Sequence, residues 1–226
     1  VGDSSVLTNP ATTTDDPRAP HTGQIQITVE GTNDAPVAGA DVTTSIEEGA
    51  AVISGQLTAT DLDDGATAAF SLSEGVEAPA GFVLNEDGSY SFDPSDEAYD
   101  TLAVGDAAVL TVPVTVTDDQ GATDTSQIQI TVQGTNDAPV AGADVAASVA
   151  EGDATIGGQL TSTDLDDGAT ATFTVSEGAE APAGFVLNED GSYSFDPSDE
   201  AYDHLNVGDS SVLTIPVTVT DDQGAT

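Results

Sequence analysis

The chain has 226 residues and a formal net charge of −40, from 41 Asp and Glu residues against a single Lys or Arg. This charge excludes nucleic acid and anionic membranes as electrostatic partners, because both attract basic patches. The absence of cysteine excludes a disulfide framework and thiolate chemistry, and no apolar run reaches the roughly 18–20 residues of a membrane-spanning helix. Apolar residues make up 38% of the chain and alternate regularly, which indicates folded β domains rather than acidic disorder.

The sequence repeats itself with a period of 103 residues. Residues 31–123 align without a gap to residues 134–226, and 76 of these 93 positions are identical. About one hundred residues can bury an independent core, so the repeats are predicted to be separate domains. We predict a tail of a preceding repeat over 1–30 (irregular over 1–23, strand-like over 24–29), a complete β-sandwich over 31–133, and a second β-sandwich without its last strand over 134–226.

The tail corresponds to residues 104–133 of the complete repeat. Its segment Gln24–Val29 has the same sequence as the last predicted strand of that repeat. Upstream of it, three valines that face inward in the complete repeat are replaced by Asn9, Ala11 and Thr13. Residues 8–23 are therefore predicted not to form a core strand.

The complete repeat contains seven short segments with a period of two, as half-buried strands have. The predicted strands A to G are Ala40–Ile46, Val52–Thr60, Thr67–Ser73, Phe82–Leu84, Ser89–Phe92, Val109–Thr117 and Ser126–Val132. Asp87-Gly88 is typical of the turn of a β-hairpin between strands D and E. A helical turn is predicted around Asp96–Leu102, in the long connection before strand F. Seven strands with frequent turns predict a two-sheet, immunoglobulin-like β-sandwich.

A short linker of identical sequence precedes each copy, at Gly31–Val37 and at Gly134–Val140. Its proline cannot donate a backbone hydrogen bond and favours extended geometry in the residue before it, so the linker is predicted to be stiff. Strand directions then place several acidic turns beside each linker. For the first linker the predicted set is Asn33, Asp34, Asp61, Asp63 and Asp118 or Asp119. For the second linker it is Glu48, Asp96 or Glu97, Asn136, Asp137, Asp164, Asp166 and Asp221 or Asp222.

Oxygen ligands in this number suit Ca²⁺, which takes six to eight of them. Two carboxylates about 4 Å apart repel by about 4 kcal/mol at an effective dielectric constant of about 20, and a divalent ion removes this repulsion. Asp-Asp-Gly and Asn-Asp are also common turn formers, and any one of these loops alone would be only a turn. The prediction therefore depends on convergence. Glu48 is the better candidate of its pair, because it recurs as Glu151 while Glu47 becomes Ala150.

Three segments of the chain stand out, namely Gly-Ser-Tyr-Ser-Phe-Asp-Pro, Thr-Val-Thr-Asp-Asp-Gln-Gly-Ala-Thr and Gln-Ile-Gln-Ile-Thr-Val-Gln-Gly-Thr-Asn-Asp-Ala-Pro. These segments resemble the VCBS repeat family of large RTX-type bacterial adhesins and biofilm proteins. Thr58–Gly65 also resembles the calcium loop of cadherins, with Asp61 and Asp63 at the Asp-x-Asp positions. The resemblance implies tandem cadherin-like β-sandwiches joined by calcium-binding linkers, an extracellular or bacterial cell-surface location, and a role as a repetitive extender.

An enzyme is not predicted, because the two histidines occupy non-equivalent positions and the paired carboxylates all lie in turns. A glycan-binding or surface-ligand-binding adhesion module is the alternative function. Glycan sites need exposed aromatic residues, whereas Phe70, Phe82, Tyr90 and Phe92 alternate into strands. An exposed aromatic cleft would favour the binding module over the extender.

The chain ends allow two explanations. In the first, the chain is a window on a longer array. In the second, Gln24–Val29 of one molecule supplies the missing last strand of residues 134–226 in another, with Ile25, Ile27 and Val29 in place of Ile128, Ile130 and Val132. An unpaired strand edge beside an open core favours such β-augmentation, and repeated head-to-tail donation builds a filament.

Overall fold

The computed structural model describes residues 4–13 and 21–226, which form β-strands, turns and loops without any helix. None of these described residues therefore belongs to a helix with the length and hydrophobicity of a membrane span. The described residues fall into two compact units. Unit 1 lies within 1–44, 52–93 and 110–130, and unit 2 comprises 45–51, 94–109 and 131–226.

The tail forms a β-hairpin. Strand β1 (Ser4–Thr13) pairs antiparallel with β2 (His21–Glu30), with Ser4 opposite Glu30 and Thr13 opposite His21. The prediction of an irregular segment over 1–23 is therefore wrong for residues 4–13 and 21–23, whereas 14–20 lie outside the described residues. A two-stranded ribbon accommodates Pro10 because each of its strands keeps one open edge. Neither strand buries a side chain among those described, since Ile25 and Ile27 are 53% and 56% exposed.

The complete repeat is an all-β sandwich, as predicted. Its strands are β3 (Val37–Ala38), β4 (Val42–Glu47), β5 (Ile53–Gln56), β6 (Ala59–Thr60), β7 (Ala68–Leu72), β8 (Phe82–Leu84), β9 (Ser89–Phe92), β10 (Ala107–Asp118) and β11 (Thr123–Gln133). They form a four-stranded sheet in the order β4-β11-β10-β7, a three-stranded sheet β5-β9-β8 and a small pair β3-β6. The predicted strand B is thus two strands, because the chain leaves the β9 ladder after Gln56 and Ala59–Thr60 pairs with β3 instead.

The core of this repeat follows the predicted alternation along β10 and β11. Val112, Val114, Ile128, Ile130 and Val132 are each 0% exposed. Residues between them face away from the core, because successive side chains of a strand point to opposite sides.

The connection between β9 and β10 contains consecutive turns rather than the predicted helical turn. The N–H of Tyr99 donates to Asp96 O at 3.0 Å, and the N–H of Leu102 donates to Tyr99 O at 3.0 Å. The Asp96 carboxylate accepts the N–H of Ala98 at 3.1 Å. Each of these backbone bonds closes its own turn, and the second turn begins where the first one ends.

The second copy has fewer strands than the first despite its nearly identical sequence. They are β12 (Val140–Ala141), β13 (Ile156–Gln159), β14 (Ser162–Thr163), β15 (Ala171–Val175), β16 (Phe185–Leu187), β17 (Ser192–Phe195) and β18 (Val217–Asp221). Residues 145–150 and 210–216, which correspond to β4 and to the first part of β10, are not strands. In the first copy both of these strands flank β11, and residues 134–226 contain no counterpart of β11. A strand requires a partner for its backbone groups, so both segments stay irregular.

Candidate metal centre

Glu48 is held against the second linker by hydrogen bonds at both its backbone and its side chain. It directly follows β4, and its N–H donates to Gln133 O at 2.9 Å. Its carboxylate oxygen Oε1 accepts the N–H of Thr135 at 2.6 Å and the hydroxyl of Thr135 at 3.2 Å. Glu48 is only 7% exposed. These bonds fix one carboxylate oxygen and leave the other, Oε2, free to bind a ligand.

Asp137 and the loop after β14 are joined by a chain of backbone-to-carboxylate bonds. The N–H of Asp137 donates to Asp166 Oδ2 at 2.9 Å, and the N–H of Asp166 donates to Asp164 Oδ1 at 3.0 Å. Each bond occupies one oxygen of its acceptor carboxylate. The loop therefore presents its remaining carboxylate oxygens in a fixed arrangement.

Glu48, Asp137 and Asp166 converge into one acidic cluster within unit 2. Each offers an oxygen, and these oxygens lie within 4.8 Å of one another. Three buried oxygens at this place have no hydrogen-bond partner, namely Glu48 Oε2, Asp164 Oδ2 and Asp166 Oδ1. A buried acceptor without a donor is costly, and two full charges at this separation repel by about 3 kcal/mol at an effective dielectric constant of about 20. The arrangement therefore suits a bound cation.

Burial and mutual repulsion shift the acidity of two members of this cluster. Burial raises the pKa of Glu48, although the hydrogen bonds from Thr135 oppose this effect. Burial also raises the pKa of Asp137, and the charges of Asp166, Asp100 and Asp164 add to it. Both carboxyl groups therefore hold their protons more tightly than an exposed acid, and a divalent cation would compete with those protons.

Asn136 and Asp221 support this cluster from beside it. The Asn136 side-chain amide donates to Asp221 Oδ2 at 2.8 Å, and Asp221 Oδ1 accepts backbone N–H groups from residues 223–225 at 2.6–2.9 Å. The bond from Asn136 lowers the pKa of Asp221. Both carboxylate oxygens of Asp221 accept hydrogen bonds, so Asp221 connects the second linker to the loop over residues 223–225. The exposed Asp222 instead accepts the N–H of Thr170 at 3.1 Å.

Asp96 is not among the three residues whose acidic ligand atoms lie together, and its place in the predicted set stays a prediction. Its charge acts on Tyr99, whose pKa is raised first by burial and then by Asp96. Asp100, which is not among the sequence-predicted residues, adds to the rise in the pKa of Asp137 after burial and the charge of Asp166. The neighbouring carbonyl of Thr101 accepts the N–H of Asp167 at 3.1 Å, so residues 100–101 meet the acidic loop.

The acidic set at the first linker has the same hydrogen bonds within unit 1. The Asn33 amide donates to Asp118 Oδ2 at 2.9 Å, the N–H of Asp34 donates to Asp63 Oδ2 at 2.9 Å, and the N–H of Asp63 donates to Asp61 Oδ1 at 2.9 Å. Asp34 is exposed, whereas its counterpart Asp137 is half-buried. Within 4–13 and 21–226, only Glu48, Asp137 and Asp166 bring three acidic ligand atoms together.

Comparison with known proteins assigns the family. Residues 33–134 and 136–226 each match the family model of the bacterial cadherin-like domain. The chain belongs to this family. Cadherin-like domains are structural adhesion domains. Comparison with curated proteins gave no match.

A solved structure of cadherin domains shares the fold. The structure of PcdhgB3 EC1-4 is 20% identical with a TM-score of 0.57, and the alignment covers 96% of this chain and 53% of that chain. Protocadherin gamma B7 extracellular cadherin domains 1–4 give 20% identity, a TM-score of 0.45 and coverages of 84% and 48%. Mouse protocadherin-24 EC1-3 is 22% identical with a TM-score of 0.47, and the alignment covers 84% of this chain and 66% of that chain. The chain thus spans about half the length of the first two of these structures.

Proposed function

We propose that this chain is a structural extender segment of a secreted or surface-bound bacterial adhesin or biofilm matrix protein, stiffened by Ca²⁺ at the linker between its repeats. The observation that carries the proposal is the convergence of Glu48, Asp137 and Asp166, which come from two different sequence copies. An ion held by all three ties the end of one copy to the start of the next.

Ca²⁺ is the ion that the donor set favours. Glu48, Asp137, Asp164 and Asp166 would hold it through carboxylate oxygens, and the chain has no cysteine to favour a softer metal. When bound, the ion supplies positive charge that cancels the repulsion among these carboxylates. Sites on extracellular modules commonly bind Ca²⁺ at about 10⁻⁴–10⁻³ M. We expect an affinity in this range, because the family and the VCBS resemblance favour an extracellular location.

The dimensions of the repeat suit an extender. Strand β10 has 12 residues and β11 has 11. At about 3.3 Å per residue, β10 spans roughly 40 Å. The two copies share 76 of 93 aligned positions, and such near-identical repeats favour a spacer over a domain specialised to bind one ligand.

The burial of aromatic residues favours the extender over a glycan-binding module. All ten aromatic residues of the chain lie within 70–202, and each is buried or half-buried. A shallow groove of about 390 Å³ in unit 1 is lined by Asp41, Ser73, Pro113, Thr125, Ser126 and Gln127. It contains no aromatic platform on which a sugar ring could stack.

A calcium titration followed by small-angle X-ray scattering tests the proposal. We expect Ca²⁺ to increase the maximum dimension of the chain and reduce its flexibility at millimolar concentrations. Glu48→Gln should weaken this response, because it removes one charge of the three. Its matched control is Glu151→Gln, since Glu151 is the exposed counterpart of Glu48. Identical responses from both variants would show that the cluster is not the calcium site.

We further propose that copies of this chain associate by strand donation, in which β2 of one molecule completes residues 134–226 of another. Ile25, Ile27 and Val29 of β2 are 53–56% exposed, whereas the identical residues Ile128, Ile130 and Val132 of β11 are 0% exposed. Deletion of residues 1–30 should abolish association in size-exclusion chromatography with light scattering. Oligomers that survive the deletion would contradict strand donation.

A further inference from the structure

We propose that Gly134 and Thr135 are positioning residues of the metal centre, and that Gly134 acts by seating the second linker directly on the backbone of residues 101–106. This segment, which leads into β10, is named the linker seat. The proposal rests on the calcium site of the proposed function and goes beyond its ligands, since neither residue has a carboxylate. It assigns to them the task of holding Glu48 and Asp137 where one ion reaches both.

The linker seat contacts Gly134 more closely than any side chain allows. The N–H of Gly134 donates to Asp106 O at 3.0 Å. A Cβ atom added at residue 134 would overlap the carbonyl oxygens of Leu102 and Ala103, and it would lie 2.6 Å from the carbonyl carbon of Leu102. Carbon atoms that are not bonded to each other normally approach to about 3.5–4.0 Å. Gly134 does not have a positive φ, so the close approach is what requires glycine here.

The same seat also holds the acidic loop of the second copy. The N–H of Asp167 donates to Thr101 O at 3.1 Å. Its neighbour Asp166 accepts the N–H of Asp137 through Oδ2 at 2.9 Å. Linker, loop and seat therefore form a closed ring of hydrogen bonds, in which Gly134 and Asp137 are three residues apart. A displacement of Gly134 from the seat moves Asp137 relative to Asp166.

The residues on either side of Gly134 bind Glu48. Gln133 O accepts the N–H of Glu48 at 2.9 Å, and Thr135 donates its N–H and its hydroxyl to Glu48 Oε1 at 2.6 and 3.2 Å. The other carboxylate oxygen, Oε2, is buried without a hydrogen-bond partner. The place of Gly134 on the seat therefore sets the direction in which Oε2 points. Hydrogen bonds that orient a metal ligand in this way typically change metal affinity by about 10–100-fold when they are lost.

The acidic cluster needs such a support because its members repel one another. Glu48, Asp137 and Asp166 each bring a ligand oxygen within 4.8 Å of the other two, and without a cation their charges drive them apart. The bonds from Gly134 and Asp167 to the seat join backbone groups, which carry no net charge. They hold the linker and the loop in place before an ion arrives. A site that is already ordered loses less conformational entropy when it binds its ligand.

Two variants of the full chain and one matched control test the proposal by isothermal titration calorimetry with CaCl₂. Gly134→Ala should lower the calcium affinity by about 10–100-fold, and Thr135→Val, which removes only the hydroxyl bond, should lower it by a smaller factor. The control is Gly158→Ala in β13, where a Cβ atom would lie 2.5 Å from Tyr193 Oη. It introduces a comparable clash away from the linker and should leave the affinity unchanged. Glu48→Gln identifies the binding step that belongs to the cluster.

Amide hydrogen exchange in chelator, followed by NMR, measures the positions of these groups without calcium. In Gly134→Ala the amides of Thr135 and Asp137 should lose protection, because their hydrogen bonds to Glu48 and Asp166 depend on the seat. In Gly158→Ala the same amides should exchange as in the unmodified chain.

Unchanged calcium affinity in a folded Gly134→Ala variant would overturn the proposal, and so would an equal loss of affinity in Gly158→Ala. Should Gly134→Ala fail to fold, Thr135→Val decides, and an affinity equal to that of the unmodified chain would overturn the proposal. An unmodified chain that binds no Ca²⁺ would overturn the proposed function and the role of both residues at a metal. Loss of protection in Gly134→Ala would in that case still support the seat, and unchanged protection would contradict it.

Discussion

Glu48 and Glu151 illustrate how one residue type acquires two properties at equivalent positions of two copies. Glu48 is 7% exposed and accepts hydrogen bonds from Thr135, whereas Glu151 is exposed. Gln133 and Thr135, which belong to unit 2 like Glu48, form hydrogen bonds with Glu48. No described residue forms equivalent hydrogen bonds with Glu151. The chemistry of a carboxylate thus depends on which backbone segment lies over it.

The raised pKa of Glu48 predicts a pH dependence in the absence of calcium. A carboxyl group with a raised folded-state pKa stabilises the fold below its ordinary value of 4.5, and this contribution is lost as the pH rises through the folded-state pKa. Glu48→Gln removes the unfavourable charge. In a chelator at pH 7 we therefore expect it to raise the unfolding temperature of unit 2, with the difference disappearing near pH 4. Calorimetry from pH 4 to pH 8 measures this.

With calcium bound, the Glu48→Gln variant should unfold at a lower temperature than the unmodified chain, because the variant lacks one carboxylate that binds the ion. The Glu151→Gln variant serves as the control and should follow the unmodified chain at every pH. A Glu48→Gln variant that is less stable than the unmodified chain in chelator at pH 7 would show that the charge of Glu48 is not destabilising.

Strands β2 and β11 contain the same six-residue sequence in opposite environments. Gln24–Val29 and Gln127–Val132 both alternate polar and apolar side chains. In β11, an inner strand of the four-stranded sheet, the apolar side chains are fully buried, whereas in β2 they remain more than half exposed. The hydrophobic contribution of a strand therefore depends on the layer that covers it.

This contrast predicts different effects for the same substitution. Ile128→Ala should lower the free energy of unfolding by about 2–5 kcal/mol, because it leaves a cavity in a closed core. Ile25→Ala should change it by less than about 0.5 kcal/mol, as is usual at exposed positions. Chemical denaturation of the monomer measures both values. Ile25→Ala should nevertheless weaken association, because donation would bury that side chain. Equal losses of stability from the two variants would contradict the exposed position of β2.

The whole molecule carries a net charge of −40, which opposes contact between two copies. Salt screens such repulsion, since the Debye length falls from about 30 Å at 0.01 M to about 8 Å at 0.15 M ionic strength. Apolar burial by the donated strand would be almost unaffected by this change. Association by the proposed strand donation should therefore depend strongly on ionic strength, although the contacts it would form are apolar.

We expect association of the chain to increase when NaCl is raised from about 0.01 M to about 0.15 M. Addition of Ca²⁺ should increase it further, because bound ions lower the net charge. Light scattering at fixed protein concentration measures both effects. A chain without residues 1–30 should remain monomeric throughout. Weaker association at the higher salt concentration would indicate an interface held by charge pairs rather than by apolar burial.

Much of the fold could be predicted from the sequence because its signals are local. Alternating apolar residues define β7, β10 and β11, and Asn85–Gly88 forms the predicted turn, in which Gly88 has a φ of 83°. The acidic turns were also predictable from the sequence, because Asp side chains form turns through hydrogen bonds to backbone groups a few residues away. The bonds from the N–H of Asp63 to Asp61 and from the N–H of Asp166 to Asp164 are of this kind. The proposed metal ligands remain a prediction, although three of them converge in the structure.

The sequence by itself determined which segments can be strands and which loops are acidic, because both properties depend on neighbours along the chain. Tertiary structure alone decided which of the identical segments is buried, why 210–216 is irregular while its counterpart in β10 is a strand, and why Asp100 rather than Asp96 acts on Asp137. These outcomes depend on pairing with other segments of the chain, and such pairings leave no pattern within the segment itself. A strand or a buried carboxylate exists only where a distant segment covers it.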